Sequence, residues 1–261
     1  MAPADSLWPV QAIREAAAPC WPQLVVEVVA QIDSSNTELM RRAKSGNSQP
    51  ALLVAEQQTA GRGRLGRNWQ SEPGASLTFS LGLPLAPQDW SGLSLAVGVA
   101  LAESLHPDVH LKWPNDLWFA DRKLGGILIE TASFGRAGEA GRYAVIGVGI
   151  NIAQRAWEGV STAPAWLREV LPDVGAAQAL LQIIRPLLQA VQAFESFGFG
   201  VFQSRFDARD ALRDREVALT DGTLGTAHGI TDAGALLVHT AGGMRLVTSA
   251  EVSVRPTQPP Q

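Results

Sequence analysis

Three arginines and three glycines crowd into seven residues, Gly61 to Arg67, inside the stretch EQQTAGRGRLGRNWQ (residues 56–70), and no carboxylate lies between Glu56 and Glu72. Arginine presents a planar fork of donors that matches carboxylate and phosphate oxygens. Glycine lets backbone N–H groups approach the same anion. Arg62, Arg64 and Arg67 therefore read either as an anion site on a loop able to bend around its ligand, or as a solvated loop whose arginines bind nothing. No Gly-Lys-Ser/Thr follows, so the stretch is not a Walker-type phosphate loop.

Three further stretches carry residues of chemical interest. In LKWPNDLWFADRKLGGILIE (111–130), Lys112, Asn115, Asp116 and Lys123 fall at strand ends or turns, where side chains are open to a ligand. Asn115 and Asp116 read equally as turn formers, and Lys123, placed in an Asp-Arg-Lys turn, as a solvated lysine. Gly125 and Gly126 weaken an apolar strand unless another group packs against the backbone. In VIGVGIN (145–151), Gly147 and Gly149 bare one face of a strand for a flat ligand or for a neighbouring element. In DSSN (33–36), Ser34 and Ser35 either cap a helix or hydrogen-bond a neutral polar ligand.

Recognisable elements must hold these residues. QLVVEVVAQI (23–32) reads as a strand, TELMRRAKS after DSSN as a helix ending at Gly46-Asn47, and ALLVAE (51–56) as a second buried strand. The Gly/Arg stretch is a loop between strands. ASLTFSLGL (75–83) alternates as a strand should, and SGLSLAVGVALAESL (91–105) has helical spacing. VHLKW and LWFA flank the Pro114-Asn115-Asp116 bend, a turn at DRK feeds LGGILIETA (124–132), and a Gly-rich loop (135–141) leads to RYAVIGVGINI (142–152). From about 162 to 213 the pattern is helical, with Pro186 expected to kink or break it. After Arg213 come four or five short strands joined by Asp-Gly, Ala-Gly and Gly-Gly turns, the pattern of a small SH3-like barrel. The fold class expected is α+β, a mostly hairpin-connected mixed β-sheet with helices.

Composition narrows the function. The chain has 261 residues, 46% hydrophobic and 18% charged, enough apolar material for a real core. Its net charge is −4 and its pI about 5.6, against the broad basic face of a nucleic-acid binder. The single cysteine, Cys20, excludes an internal disulfide and suits a reducing compartment. Without a signal-peptide pattern or a membrane-length apolar run, a cytoplasmic protein that engages neither membrane nor nucleic acid is expected.

In this order, DSSN, EQQTAGRGRLGR with Trp69, KWPNDL, KLGGILIE and GVGIN closely resemble the biotin–protein ligases (biotin–acetyl-CoA-carboxylase ligases) over about residues 25 to 255. The resemblance implies a catalytic domain related to class II aminoacyl-tRNA synthetases and lipoate ligases. It divides the chain into an N-terminal extension (1–24), that catalytic domain (25–213), an SH3-like barrel (214–256) and a tail (257–261). The implied reaction joins biotin and ATP as biotinyl-5′-AMP with release of pyrophosphate, then passes biotin to one lysine of a biotin carboxyl carrier domain. Bringing a carboxylate to a triphosphate sets like charges together, about 1 kcal/mol at 4 Å in water but about 4 at an effective dielectric of 20. Fixed cations and a metal ion offset this, and a mobile loop would shield the mixed anhydride from water.

By position, the resemblance implies that Ser34, Ser35 and Gln58 hold the ureido head of biotin, with Gly61 and Arg62 nearby. Arg62, Arg64 and Arg67 would face the carboxylate and phosphates. Lys123 would bridge carboxylate and α-phosphate; with Arg62 and Arg64 it forms the expected catalytic set. Gly125, Gly126, Gly147 and Gly149 would make room for the body of biotin. Lys112, Asn115, Asp116 and Asn151 would serve the nucleotide and Mg²⁺, with Asp116 the expected metal ligand. Trp69 would pack on the ligand or in the core. Leu65 stands where some relatives carry another arginine. Only about 24 residues precede the first strand, so a monofunctional ligase without a DNA-binding domain or repressor activity is expected, as monomer or homodimer. A lipoate or octanoyl ligase on the same fold, and a non-catalytic biotin-sensing or nucleic-acid-binding module, are the alternatives.

Overall fold

The computed structural model describes residues 8–133, 142–156, 163–248 and 254–256; the expected Gly-rich loop (135–141) and tail (257–261) lie outside the described residues. A short helix, α1 (Val10–Ala17), is followed by β1 (Val25–Ile32), α2 (Ser35–Lys44), β2 (Ala51–Gln58), β3 (Ser76–Leu85), α3 (Leu93–Leu105), β4 (His110–Lys112), β5 (Asp116–Phe119), β6 (Arg122–Ser133) and β7 (Arg142–Asn151). These seven strands form one mixed sheet in the order β1-β2-β3-β7-β6-β5-β4. β1 and β2 are parallel, joined through α2, and the other neighbours are antiparallel.

Alternation along the strands divides the core between the two sheet faces. Leu52, Val54, Leu77, Phe79 and Leu81 enter the large cluster, together with residues of α1, α3 and the long helix α4 (Ala176–Phe197). Leu53 and Val145 point the other way and pack with Leu39 and Ala43 of α2. Helix α2 covers only part of that second face. Beyond its N-terminus β3 carries Ser76, Thr78 and Ser80, three hydroxyls at every second position of an otherwise apolar strand.

After α4 and the five-residue α5 (Gln203–Asp207), β8 (Glu216–Leu219), β9 (Leu224–Ile230), β10 (Leu236–Thr240), β11 (Gly243–Val247) and β12 (Val254–Pro256) form an antiparallel sheet in the order β11-β10-β9-β8-β12, as expected of an SH3-like unit. Its buried residues continue the large core. Segment 209–211 pairs with β4 through Leu111 N–H to Arg209 O (2.8 Å) and Ala211 N–H to Leu111 O (2.9 Å). The fully buried Trp113 donates its indole N–H to Gly234 O, 3.0 Å away in the β9–β10 turn.

Several local expectations need correction. Helix α1 lies in the segment read as an extension; eight residues are too few for a clear periodic signal, yet Ile13 and Ala17 are fully buried. Helix α4 runs unbroken through Pro186. The hydrogen bond and the steric fit lost there cost about 3 kcal/mol. Burial of Ile183, Ile184, Leu187 and Leu188 around it, at roughly 1.5–3 kcal/mol each, outweighs that. Between residues 163 and 175, expected to be helical, the described chain forms only the single 3-10 turn Leu167–Glu169.

The turn expected at Asp-Arg-Lys is instead Ala120–Asp121, both at positive φ (47° and 56°), a two-residue hairpin turn. Arg122 and Lys123 already belong to β6. The β5–β6 register then shifts, with Trp118 opposite Lys123 but Leu117 opposite Gly125. Leu124 is thus the extra residue of a bulge, which resets the alternation of the strand.

Candidate active site

A cavity of about 570 Å³ opens on the uncovered part of the sheet, a size suited to a small-molecule ligand. Its lining draws on all four stretches singled out in the sequence. Of the candidate residues, Ser34, Ser35, Gln58, Arg62, Arg64, Arg67, Trp69, Lys112, Asn115, Asp116, Lys123, Gly126, Gly147, Gly149 and Asn151 line it. Gly61 and Gly125 do not. A Cβ on Gly61 would stand 2.3 Å from Trp69 O, so this glycine closes the base of the loop. A Cβ on Gly125 would meet Gly149 O at 2.6 Å and Leu117 at 3.3 Å, turned into the sheet rather than toward a ligand. The bulge at Leu124 explains this: Lys123 and Gly126, not Lys123 and Gly125, share the cavity side.

The end of the cavity beneath α2 is polar, buried and already hydrogen-bonded. Ser34 caps α2, its side chain accepting from Thr37 N–H at 3.4 Å. Gln58 Oε1 accepts from Ser35 N–H (2.8 Å) and lies 3.1 Å from Ser35 Oγ. Ser35 Oγ meets Ser80 Oγ at 2.7 Å, and Ser80 donates to Asn36 Oδ1 at 2.5 Å. Asn36 sits where Gly147 has no side chain; a Cβ there would be 2.2 Å from Asn36 Oδ1. Trp69 lies in the same way over Gly149, whose Cβ would be 2.4 Å from the indole, and the Trp69 Nε1 donor is buried with no hydrogen-bond partner. The face bared by Gly147 and Gly149 thus takes up two side chains of the protein, while both glycines still line the cavity.

The other end gathers charge. Among the described lining residues, Arg64, Arg67, Lys112 and Lys123 gather there with Asp116, the single carboxylate of the lining. Lys123 Nζ is 2.7 Å from Asp116 Oδ1. Arg64 Nη1 reaches Asn115 Oδ1 at 3.5 Å. Burial lowers the pKa of the half-buried Arg64 guanidinium; Asp116 opposes the drop and Arg67 adds to it. The loop folds on itself, with Gly63 N–H to Arg67 O at 2.7 Å and Arg62 bridged to Asn68, leaving Leu65 at its tip with φ 55° and 68% exposed. Lys112 lies over the Trp118 ring at 5.1 Å.

Two candidates serve the backbone as much as any ligand. Asn115 Nδ2 donates to Ile127 O (2.7 Å), fastening the turn to β6. Asn151, 1% exposed, spends its amide N–H groups on Ala165 O (3.0 Å) and Lys123 O (3.5 Å), while its Oδ1 has no partner. Arg62 is set apart from the other arginines: its guanidinium is 2.7 Å from Glu130 Oε1 and 3.2 Å from Thr37 Oγ1, at the α2 end. Asn36, Thr78, Ser80 and Glu130 were not among the sequence candidates. The hydroxyl alternation of β3 and the lone charge ending the apolar run GILIE were the signals available for them.

Residues 28–151 match the family model of the biotin/lipoate A/B protein ligase family, and residues 214–255 that of the biotin protein ligase C terminal domain. The bifunctional ligase/repressor BirA of Escherichia coli is 38% identical over 244 residues, covering 88% of this chain and 74% of that one. The chain belongs to the biotin protein ligase family. A family member from Paracoccus denitrificans, biotin–[acetyl-CoA-carboxylase] ligase, is 30% identical over 86% of this chain and 98% of its own. The biotin protein ligase of Aquifex aeolicus, solved in complex with biotin and ATP, superposes with a TM-score of 0.75 at 28% identity, covering 89% of this chain and 99% of that chain.

Proposed function

We propose that this chain activates biotin with ATP as biotinyl-5′-AMP and transfers biotin to a lysine of a biotin carboxyl carrier domain. The observation that carries the reading is the joining, in one cavity, of a neutral hydrogen-bonding wall (Ser34, Ser35, Gln58) to a cationic cluster (Arg64, Arg67, Lys112, Lys123). A cyclic urea with a carboxylate tail, and a triphosphate, are the ligands such an arrangement suits. Catalysis is assigned to residues 25–213, with 214–256 as an SH3-like unit bracing it.

In this reading the biotin carboxylate attacks the α-phosphorus and the bond to pyrophosphate breaks. Lys123, next to Gly126 and paired with Asp116, moves its charge onto the carboxylate and α-phosphate oxygens as the bond forms. Arg64 and Arg67 then hold the loop over the mixed anhydride until the amine of the carrier lysine displaces AMP. Among the described residues no group of three or more His, Cys, Asp or Glu could cage a metal. One carboxylate beside phosphates nevertheless suits Mg²⁺, which keeps most of its waters. Asp116 would hold that ion, which supplies further neutralisation of phosphate charge.

No described helix is long and apolar enough to cross a membrane. ATP–pyrophosphate exchange by the purified protein should depend on biotin; exchange that depends on lipoate instead would overturn the assignment.

A further inference from the structure

The buried polar wall has a direction, and one carboxylate outside the cavity lining helps set it. Glu130 on β6 shares its two oxygens: Oε1 accepts from Arg62 (2.7 Å) and Oε2 from Asn36 Nδ2 (3.1 Å). An ionised carboxylate only accepts, so the amide of Asn36 must turn its nitrogen to Glu130. Leu128 O, at 3.3 Å, accepts from the same nitrogen and acts in the same sense. Asn36 Oδ1 then faces Ser80 and accepts its O–H hydrogen bond (2.5 Å). With that proton committed, the single proton of Ser35 goes to Ser80 Oγ (2.7 Å) or to Gln58 Oε1 (3.1 Å). Either way Ser35 Oγ presents lone pairs to the cavity. Gln58 Oε1, held by Ser35 N–H, leaves Nε2 as the donor end of its amide.

We propose that Glu130 is a positioning residue whose carboxylate orders the protons of the Asn36–Ser80–Ser35 chain, so that Ser35 accepts from a urea N–H of the ligand and Gln58 donates to its carbonyl. The arrangement is possible because Gly147 leaves room for Asn36, and it is shut off from competing water: Ser35, Asn36 and Ser80 are 2%, 4% and 0% exposed. The same carboxylate holds Arg62, which ties the base of the Gly/Arg loop to the wall. This inference rests on biotin being the ligand.

The substitution Glu130→Gln keeps the shape but offers one acceptor oxygen where two are used. An amide N–H turned to Asn36 favours the reverse order, in which Ser80 donates to Ser35 and the proton of Ser35 is available to point into the cavity. Calorimetry of the full chain should show biotin bound about tenfold more weakly by E130Q. ATP affinity should stay within about twofold, and the melting temperature should fall by no more than a few degrees. The decisive reading is a cycle of E130Q against biotin methylated at either urea nitrogen. The two losses should combine to less than their product for the nitrogen that Ser35 faces, because both remove the same hydrogen bond. Equal weakening of biotin and ATP with a larger fall in melting temperature would make Glu130 merely structural, and fully multiplicative losses at both nitrogens would show that proton order is not what it controls. If the unaltered protein binds no biotin, the functional reading fails and this inference with it; if it binds biotin and E130Q binds it as well, only this inference fails.

Discussion

Under α2, Ser35, Asn36 and Ser80 are nearly closed to solvent and already bonded to one another, whereas across the cavity Lys123 remains 41% exposed and its partner Asp116 16%. The first region rests on strands β3 and β7 and the capped start of α2. The second rests on a two-residue turn, a bulge and a loop whose tip is an exposed leucine. Such a contrast fits a site that selects its acid by a rigid wall and completes its charge arrangement only when the nucleotide arrives. Buried polar groups hold one geometry because breaking any link leaves an unpaired group at about 1–3 kcal/mol. Exposed ion pairs are worth about 0–1 kcal/mol and exchange partners easily, which suits the proposed move of Lys123 from Asp116 to an α-phosphate.

The sharpest test of the contrast is Lys123→Ala, which should lower biotin-dependent pyrophosphate exchange by about 10³-fold, the scale of losing one charge-stabilising group. Biotin affinity should change by no more than a few-fold. An equal loss in both would mean that the two ends do not divide recognition from chemistry.

Gly147→Ala attacks the rigid end, because its Cβ would stand 2.2 Å from Asn36 Oδ1. Displacing Asn36 breaks the chain at its centre, so biotin Kd should rise roughly 10–100-fold while ATP affinity holds. Wild-type biotin binding in that variant would show that the wall does not need its present order. For the adaptable end, Arg64→Ala should release free biotinyl-AMP about tenfold faster than the parent without slowing its formation as much, since charged hydrogen bonds of this kind contribute about 1.5–3 kcal/mol. Chromatography of the nucleotide products decides it: release and transfer slowing together would remove the shielding role.

The smallest effect expected lies outside both ends and supplies a baseline. Burial pushes the Asp210 carboxyl, at the junction with the C-terminal sheet, up to about 6, and its Oδ2 has no partner. Folding therefore favours the protonated acid, and the contribution of Asp210 to stability is fully present below its unfolded value of about 4 and is lost as pH rises through 6. Asp210→Asn, which can keep the acceptor for Leu212 N–H, should raise stability at pH 7.5 by about 2 kcal/mol and flatten its slope between pH 4 and 6. Denaturant melts at pH 4, 6 and 7.5 measure this, and biotin affinity should not move.

Residue types and local spacing alone determined the strand and helix pattern, the hairpin-rich sheet, the small antiparallel unit at the end and the cationic, glycine-bearing loop. These follow from alternation, capping and turn chemistry, which act within a few residues. Only the tertiary structure decided which arginine serves which end, because the alliance of Arg62 with Glu130 joins a loop to a strand distant in sequence. It alone turned Gly125 away and Gly126 inward, since a bulge depends on the pairing partner and not on the strand's own composition. It likewise decided that the bare faces of Gly147 and Gly149 receive Asn36 and Trp69. A missing side chain makes space, but what fills that space is chosen by elements packed from elsewhere in the chain.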